Sequence, residues 1–272
     1  MKILVHLSDI HFGRVDETVA AAIVPLIHSL EPDVVVVSGD LTQRAKPHEF
    51  KAAREFLDRL PKPQIVVPGN HDVPLYNVFQ RFFSPLTKYR KFISADLEPF
   101  HADDEIAVAG INTARSFTFK DGRVNKVQMQ RLHDRMAPLH DRLTKFVVTH
   151  HPFDLPEGFK EKHLVDRAEE AMGVFLRAGA DVLLAGHLHT THISSTATRY
   201  PVDGRAALVV QAGTATSTRS RGETNSFNLI RSDADRLEVV RWAWVIEQEK
   251  FQEASTQAFN WTDAGWQTVG PA

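Results

Sequence analysis

The sequence contains no cysteine. That removes disulfide frameworks, thiolate nucleophiles and zinc-thiolate sites, so any metal held here must be held by nitrogen and oxygen. Also missing is an apolar run of the 18 or so residues that spanning a bilayer requires. The apolar start Lys2-Ile3-Leu4-Val5-His6-Leu7 stops at Ser8-Asp9, too short for the hydrophobic region of a signal peptide and without a small-residue cleavage site. It reads as a first buried strand, and a cytoplasmic protein is the expectation. An excess of charge of one sign is lacking too. The 32 Lys plus Arg stand against 34 Asp plus Glu, a formal -2, so no strong field draws the chain to nucleic acid or an acidic membrane. What remains is 272 residues, 43% hydrophobic and 24% charged, the balance of a globular protein long enough to bury a sizeable core.

Short β-branched runs alternate with amphipathic stretches through about residue 190, the pattern of a layered α/β protein. The predicted strands are Ile3 to Leu7, Val34 to Ser38, Ile65 to Val67, Ile106 to Ala109, Phe146 to Thr149 and Val182 to Ala185. Most are apolar on both faces, as covered strands are. Three-four spacing predicts helices over Phe50, Ala53, Leu57 and Leu60, and over Ala168, Ala171, Met172, Phe175 and Leu176. After Gly186 come strand-like runs without helices, at His192 to Thr196, Leu208 to Ala212, Asn225 to Arg231 and Leu237 to Val245, read as a second sheet. The expected closure is two packed mixed β-sheets flanked by helices, a four-layer α/β/β/α sandwich over residues 1–245. Tyr76 to Phe100 is read as a helical cap or a helix of the outer layer. Residues 246–272 are read as a tail that packs on the domain or on a partner subunit, since they lose periodicity yet keep Phe251, Phe259, Trp261 and Trp266.

In open α/β sheets ligands gather beyond the carboxyl ends of the strands. There the sequence places Asp9-Ile10-His11, Gly39-Asp40, Gly69-Asn70-His71-Asp72, His150-His151-Pro152 and Gly186-His187-Leu188-His189. Taken singly, each has a plain explanation: a helix cap, a turn residue or a hydrogen-bonded core histidine. Five such clusters at successive strand ends favour a metal site. Asp9 and His11, like His187 and His189, sit two apart, so extended backbone would turn both side chains of each pair the same way. Carboxylate, imidazole and amide oxygen suit Mn, Fe, Co or Zn and not copper(I). Seven such groups are too many for one tetrahedral ion, but two ions sharing one carboxylate leave each with four protein ligands.

These five blocks, in this order, resemble those of the calcineurin-like metallophosphoesterases. Ser-Asp-Ile-His and His-His-Pro look most like the bacterial phosphodiesterase branch, which includes class III cyclic-nucleotide phosphodiesterases and glycerophosphodiesterases. The resemblance implies that Asp9, His11 and His189 hold one metal, that Asn70, His150 and His187 hold the other, and that Asp40 bridges them. His151 would face the substrate or support the ligands. Gln43 stands where purple acid phosphatases of the superfamily carry a metal-binding Tyr, so two ordinary divalent ions, Mn, Fe or Zn, are expected and a coloured iron(III) centre is not.

Water activated between two cations would then attack phosphorus in line. His71 is the candidate for stabilising or protonating the leaving oxygen, with Asp72 to fix its tautomer. Candidate substrate contacts are Arg14, Arg44, Arg115, Arg219 and Arg221, with Phe12, Phe117, Phe119, Phe153 and Phe159 as an apolar rim. The expected substrate is a small phosphodiester, a cyclic nucleotide or a glycerophosphodiester, with a phospholipid as the alternative. A nuclease fits the charge balance less well, and a non-catalytic scaffold fits poorly with seven filled ligand positions. No stable nucleic-acid partner is expected, while a homo-oligomer is left open.

Overall fold

The computed structural model describes residues 1–75, 78–115, 121–202, 205–219, 222–262 and 265–269. Phe117, Phe119 and Arg221 lie outside them. In chain order the first elements are β1 (Lys2–Leu7), α1 (Glu17–Ser29), β2 (Val34–Val37), α2 (Pro47–Asp58), β3 (Gln64–Val66), α3 (Val78–Phe83), α4 (Thr87–Phe92) and β4 (Phe100–Ala102). There follow β5 (Ile106–Gly110), α5 (Lys126–Met136), β6 (Thr144–Val148), α6 (Ala168–Arg177), β7 (Val182–Ala185), β8 (His192–Ser195) and β9 (Leu208–Gln211). The last strands are β10 (Ser226–Ser232), β11 (Arg236–Val245), β12 (Lys250–Thr262) and β13 (Gly265–Thr268).

Two mixed sheets pack face to face, with strand orders β13-β12-β11-β10-β1-β2-β3 and β4-β5-β6-β7-β9-β8. The period of two along each strand builds three apolar layers at once. In β2, Val34 and Val36 point into the layer between the sheets while Val35 and Val37 point at the helices. In β6, Phe146 and Val148 point inward and Val147 outward. Helices α1, α2 and α4 cover the outer face of the first sheet, and α5 and α6 that of the second. Asp16 starts α1 by accepting hydrogen bonds from the Thr18 and Val19 amides.

The strands are not divided between the sheets as expected. Both sheets draw on both halves of the chain: β8 and β9 join β5, β6 and β7, while β10 pairs antiparallel with β1. Apolar patterning marks which faces are buried but carries no record of neighbours. Residues 250–268 extend the first sheet on this same domain, with β12 paired to β11 and β13 to β12. In the 76–100 segment, α4 packs in the outer layer, where buried Tyr89 donates to the Val66 carbonyl at 2.9 Å. By contrast α3 leaves Phe79 and Phe83 74% and 75% exposed. No helix among the described residues is long and apolar enough to cross a membrane.

Candidate metal centre

Strands β1, β2, β3, β6 and β7 each end at one edge of the sandwich, and the residues just beyond them converge there. Asp9, His11, Asp40, His187 and His189 all have positive φ, between 52° and 72°. The same-side placement of the paired residues therefore comes from left-handed backbone and not, as expected, from extended chain. Each such residue costs on the order of 1–3 kcal/mol and persists only where its surroundings over-determine it. Here the close approach of the loops does so. A Cβ on Gly69 would lie 2.1 Å from Asp40 Oδ1, and one on Gly186 1.8 Å from Ser8 Oγ.

Two groups of ligand atoms result. In one, His11 Nε2 lies 3.5 Å from Asp9 Oδ1 and 3.3 Å from His189 Nε2, which is itself 3.1 Å from Asp9 Oδ1. In the other, His150 Nε2 lies 3.1 Å from Asn70 Oδ1 and 3.3 Å from His187 Nδ1. Asp40 stands between them, with Oδ2 3.7 Å from His11 Nε2 and Oδ1 3.4 Å from His150 Nε2. His187 and His189 thus serve different groups.

The hydrogen bonds behind these atoms aim their lone pairs. The Nδ1 atoms of His11, His150 and His189 face the carbonyl oxygens of Thr42, Ser38 and Arg219 at 3.4, 2.8 and 3.0 Å. A carbonyl only accepts, so each Nδ1 carries the hydrogen and each Nε2 is turned to the centre. Asp9 Oδ2 accepts from Ser8 Oγ and the His187 amide at 2.7 and 2.9 Å. Its buried Oδ1, facing two imidazole nitrogens, lacks a well-directed hydrogen bond.

Electrostatics agree. Burial opposes ionisation of Asp9 and Asp40, yet the imidazoles hold both well below the usual carboxylate range: His189 and His11 act on Asp9, His150 and His71 on Asp40. Burial likewise opposes charge on His150, but Asp40 raises it to about 9. His189 is raised against burial by Asp9. Protons are drawn to the two points where buried carboxylates and imidazole nitrogens meet, and a divalent cation satisfies the same demand with more charge. The donor set, all nitrogen and oxygen, fits two such ions.

The other expected residues divide. His71 Nδ1 is 2.8 Å from the Gln43 carbonyl oxygen and its Nε2 3.1 Å from Arg219 Nη1, while burial lowers its pKa. Gln43, and not Asp72, fixes the ring. Asp72 is occupied in tying loops together, accepting from the Gly69, Leu41 and Thr42 amides and from Thr42 Oγ1. Its own pKa is pushed up to about 6 by burial and by Asp40. His151 Nδ1 is 2.7 Å from Thr113 Oγ1, with its ring 4.7 Å from that of His187, and its nitrogen falls within reach of those of His150 and His187.

Arg115, expected as a substrate contact, is engaged elsewhere: its guanidinium donates to Gln128 Oε1 and to the Asn112 and Ala114 carbonyls. Phe153 is core, packed on Phe175. Phe12 is half-buried against Phe56, and Arg14 is exposed. Arg44 and Arg219 do line a cavity of about 230 Å³ beside the centre, together with Gln43, Asn70, His71, Val73 and Leu75. Sequence reasoning missed Ser8, Thr42, Thr113 and the Gln43 carbonyl. Ser8 stood inside the Ser-Asp-Ile-His block without being singled out, and the other positions supply ordinary polar or backbone groups that no pattern in the chain marks.

Comparison with known proteins gives the same reading of the fold. PhoD superimposes with a TM-score of 0.70 at 9% identity, over 100% of this chain and 72% of that one. The yellow lupin purple acid phosphatase PPD1 gives 0.68 at 12% identity, over 94% and 53%. In sequence, the chain is 38% identical over 81 residues to the glycerophosphodiester phosphodiesterase GpdQ of Enterobacter lignolyticus, 26% of this chain and 29% of that protein. It is 26% identical over 165 residues to the 3',5'-cyclic adenosine monophosphate phosphodiesterase CpdA of Escherichia coli K12, 60% and 56% of the two. The matches therefore span less than two thirds of either relative. Residues 2–191 match the calcineurin-like phosphoesterases, and with the five loop clusters converging as described, the chain belongs to that family.

Proposed function

We propose that this protein is a phosphodiester hydrolase that works with two divalent cations, Mn, Fe or Zn, and acts on a small phosphodiester, a cyclic nucleotide or a glycerophosphodiester. Asp9, His11 and His189 would hold one ion, Asn70, His150 and His187 the other, and Asp40 would serve both. The observation that carries this reading is the position of Asp40, whose two oxygens face different histidine groups at 3.7 and 3.4 Å. When bound, such a pair of cations lowers the pKa of water and neutralises charge on phosphorus during in-line displacement.

The chain's own residues do the rest. Carbonyls of Thr42, Ser38 and Arg219 hold the imidazole tautomers, and Ser8 with the His187 amide holds Asp9. The adjoining cavity, with two arginines and no carboxylate among its described lining residues, favours an anion. Its size favours a small one. The names of GpdQ and CpdA describe phosphodiester substrates, which supports the diester over the monoester.

The test is turnover of bis(p-nitrophenyl) phosphate against p-nitrophenyl phosphate by metal-loaded protein, then of cyclic AMP and glycerophosphocholine. Faster diester turnover is expected. No turnover with any metal, or a faster monoester, would sink the reading. One observation favours a phospholipid substrate as a second reading: Phe79 and Phe83, in ring contact at 4.7 Å, stand exposed on α3 just beyond the Asn70-His71-Asp72 loop. Phe79→Ser with Phe83→Ser would then slow turnover of phospholipid micelles while leaving glycerophosphocholine turnover unchanged. Equal effects on both would exclude it.

A further inference from the structure

A second cavity, of about 300 Å³, opens between the two sheets beside β8, lined in part by Thr191, Ile193, Asn228, Val239, Arg241 and Gln257. The alternation of strand residues explains its walls. Ile230, Val239 and Phe259 face the layer between the sheets, so Asn228, Arg241 and Gln257, two residues away on β10, β11 and β12, face it too. Asn228 pairs with Arg241 across the ladder, Arg241 with Ser255, and Val239 with Gln257. Four polar residues thus adjoin one another on a face whose next positions are apolar. A wet overhang of the first sheet accounts for Ser255 and Gln257, which are exposed, but not for the other two. Asn228 is 3% exposed, and the buried Arg241 Nε has no hydrogen-bond partner among the described residues. Leaving such a donor unmatched is costly.

The hydrogen bonds around the cavity define what it lacks. Arg241 Nη2 donates to Glu223 Oε2 at 3.0 Å, and the same oxygen accepts from the Thr191 amide at 3.1 Å and from Thr191 Oγ1 at 3.0 Å. The charge of Arg241 is therefore already matched. Asn228 Nδ2 donates to the Gln211 carbonyl at 3.3 Å, which leaves the amide oxygen to accept. His192, also in the lining, turns to Asp154, its Nε2 3.7 Å from Asp154 Oδ2. An occupant must accept from Arg241 Nε, donate to Asn228 Oδ1 and lay carbon against Ile193 and Val239. A hydroxyl both donates and accepts, whereas an anion only accepts and gains little from a guanidinium that Glu223 has neutralised. We propose that this cavity binds a neutral polyhydroxylated molecule, a monosaccharide or cyclic polyol, through Arg241, Asn228, Ser255 and Gln257. Its volume lies at the small end for ligand pockets and suits a single ring. The site shares no described lining residue with the cavity beside the metal centre and does not depend on the hydrolase reading.

The experiment titrates the isotope-labelled full chain with D-glucose, D-ribose, myo-inositol and D-glucuronate. NMR follows the backbone amides of Thr191, Asn228, Arg241 and Ser255 and the Nε–H of Arg241. Expected is millimolar binding of at least one neutral probe, with the largest shifts at these residues, and weaker binding of glucuronate than of glucose. Ser255→Trp puts a large ring at the exposed mouth and should abolish the shifts. Asn228→Leu removes the acceptor and should weaken binding roughly 10-fold, the scale of one hydrogen bond. No shift with any neutral probe would overturn the proposal. Tighter binding of glucuronate than of glucose would do the same by making this an anion site. Unchanged affinity in Ser255→Trp, or in folded Asn228→Leu, would place the sugar elsewhere and sink it too. Because Ser255 lies exposed on β12, its variant carries the test even if Asn228→Leu fails to fold.

Discussion

Asp40 directs one carboxylate oxygen toward His11 and the other toward His150, and its Oδ1 also accepts from the His71 amide at 2.8 Å. Asp40→Asn keeps the shape, removes the negative charge and puts an NH2 group, which only donates, in place of one of the two oxygens. Losing a partner that merely orients a ligand costs about 10–100-fold, so a shared ligand should cost at least about 100-fold in kcat. Metal analysis and turnover check this; an active variant with two metals bound would refute the shared role. Far from the centre, at the start of β7, Asp181 accepts from the Lys145 amide at 2.8 Å. Burial pushes its pKa up to about 7, against the pull of the Lys145 amide and of the Lys145 and Arg205 charges and with the push of Asp141. An unfolded aspartate titrates near about 3.9, so the folded chain holds this proton more tightly. Its contribution to stability is complete below about pH 4 and is lost as pH rises through about 7. Asp181→Asn should therefore raise the unfolding midpoint most at pH 8, less at pH 5 and hardly at all near pH 4. An equal gain at every pH would contradict the assignment.

Element by element, the chain announced its strands better than its connections. Val34 to Val37 and Val182 to Ala185 are short, apolar and bounded by turn residues, which is enough to locate a covered strand. Phe100–Ala102 was not expected: it is three residues long, pairs only at an edge with β5 and has no pattern of its own. Residues 250–262 hid for another reason. Their strand is largely exposed, so Glu253 to Thr256 show none of the apolar alternation of a half-buried strand. Helix α4 is short, with six residues, and is held by a contact that no sequence pattern reveals, the buried Tyr89 hydroxyl on the Val66 carbonyl. Tyr89→Phe leaves the ring and strips that bond, stranding the carbonyl. A loss of roughly 1–2 kcal/mol in denaturant unfolding is expected, and none would show that the hydroxyl is dispensable for docking the helix.

Across the whole molecule, the loop clusters were legible because ligand chemistry restricts residue type, and Asp9, Asp40, Asn70, His150 and His189 meet as their order along the chain implied. The partition of strands was not legible, since a valine buried by the opposite sheet and one buried by a helix look alike in sequence. The left-handed loops were only faintly marked: αL backbone at Asp9, His11, Asp40, His187 and His189 falls on Asp and His, residue types enriched at positive φ. Most Asp and His residues are not αL, however, so residue type alone did not locate it. That strain, with two carboxylates buried at 0% and 1% exposure, makes the edge of the sandwich the costly part of the fold. The surrounding layers, with Leu4, Phe146, Val148 and Ile230 packed between the sheets, must over-determine it. A ligand that binds only the folded chain stabilises it by about 2.7 kcal/mol at 100 times its dissociation constant. Saturating manganese should therefore raise the thermal midpoint by several degrees over protein held in chelator, and Asp40→Asn should lose most of that gain. A midpoint indifferent to metal in the wild-type chain would mean that the two histidine groups pack as a neutral, self-satisfied core, and the strain at their loops would then have no ligand to explain it.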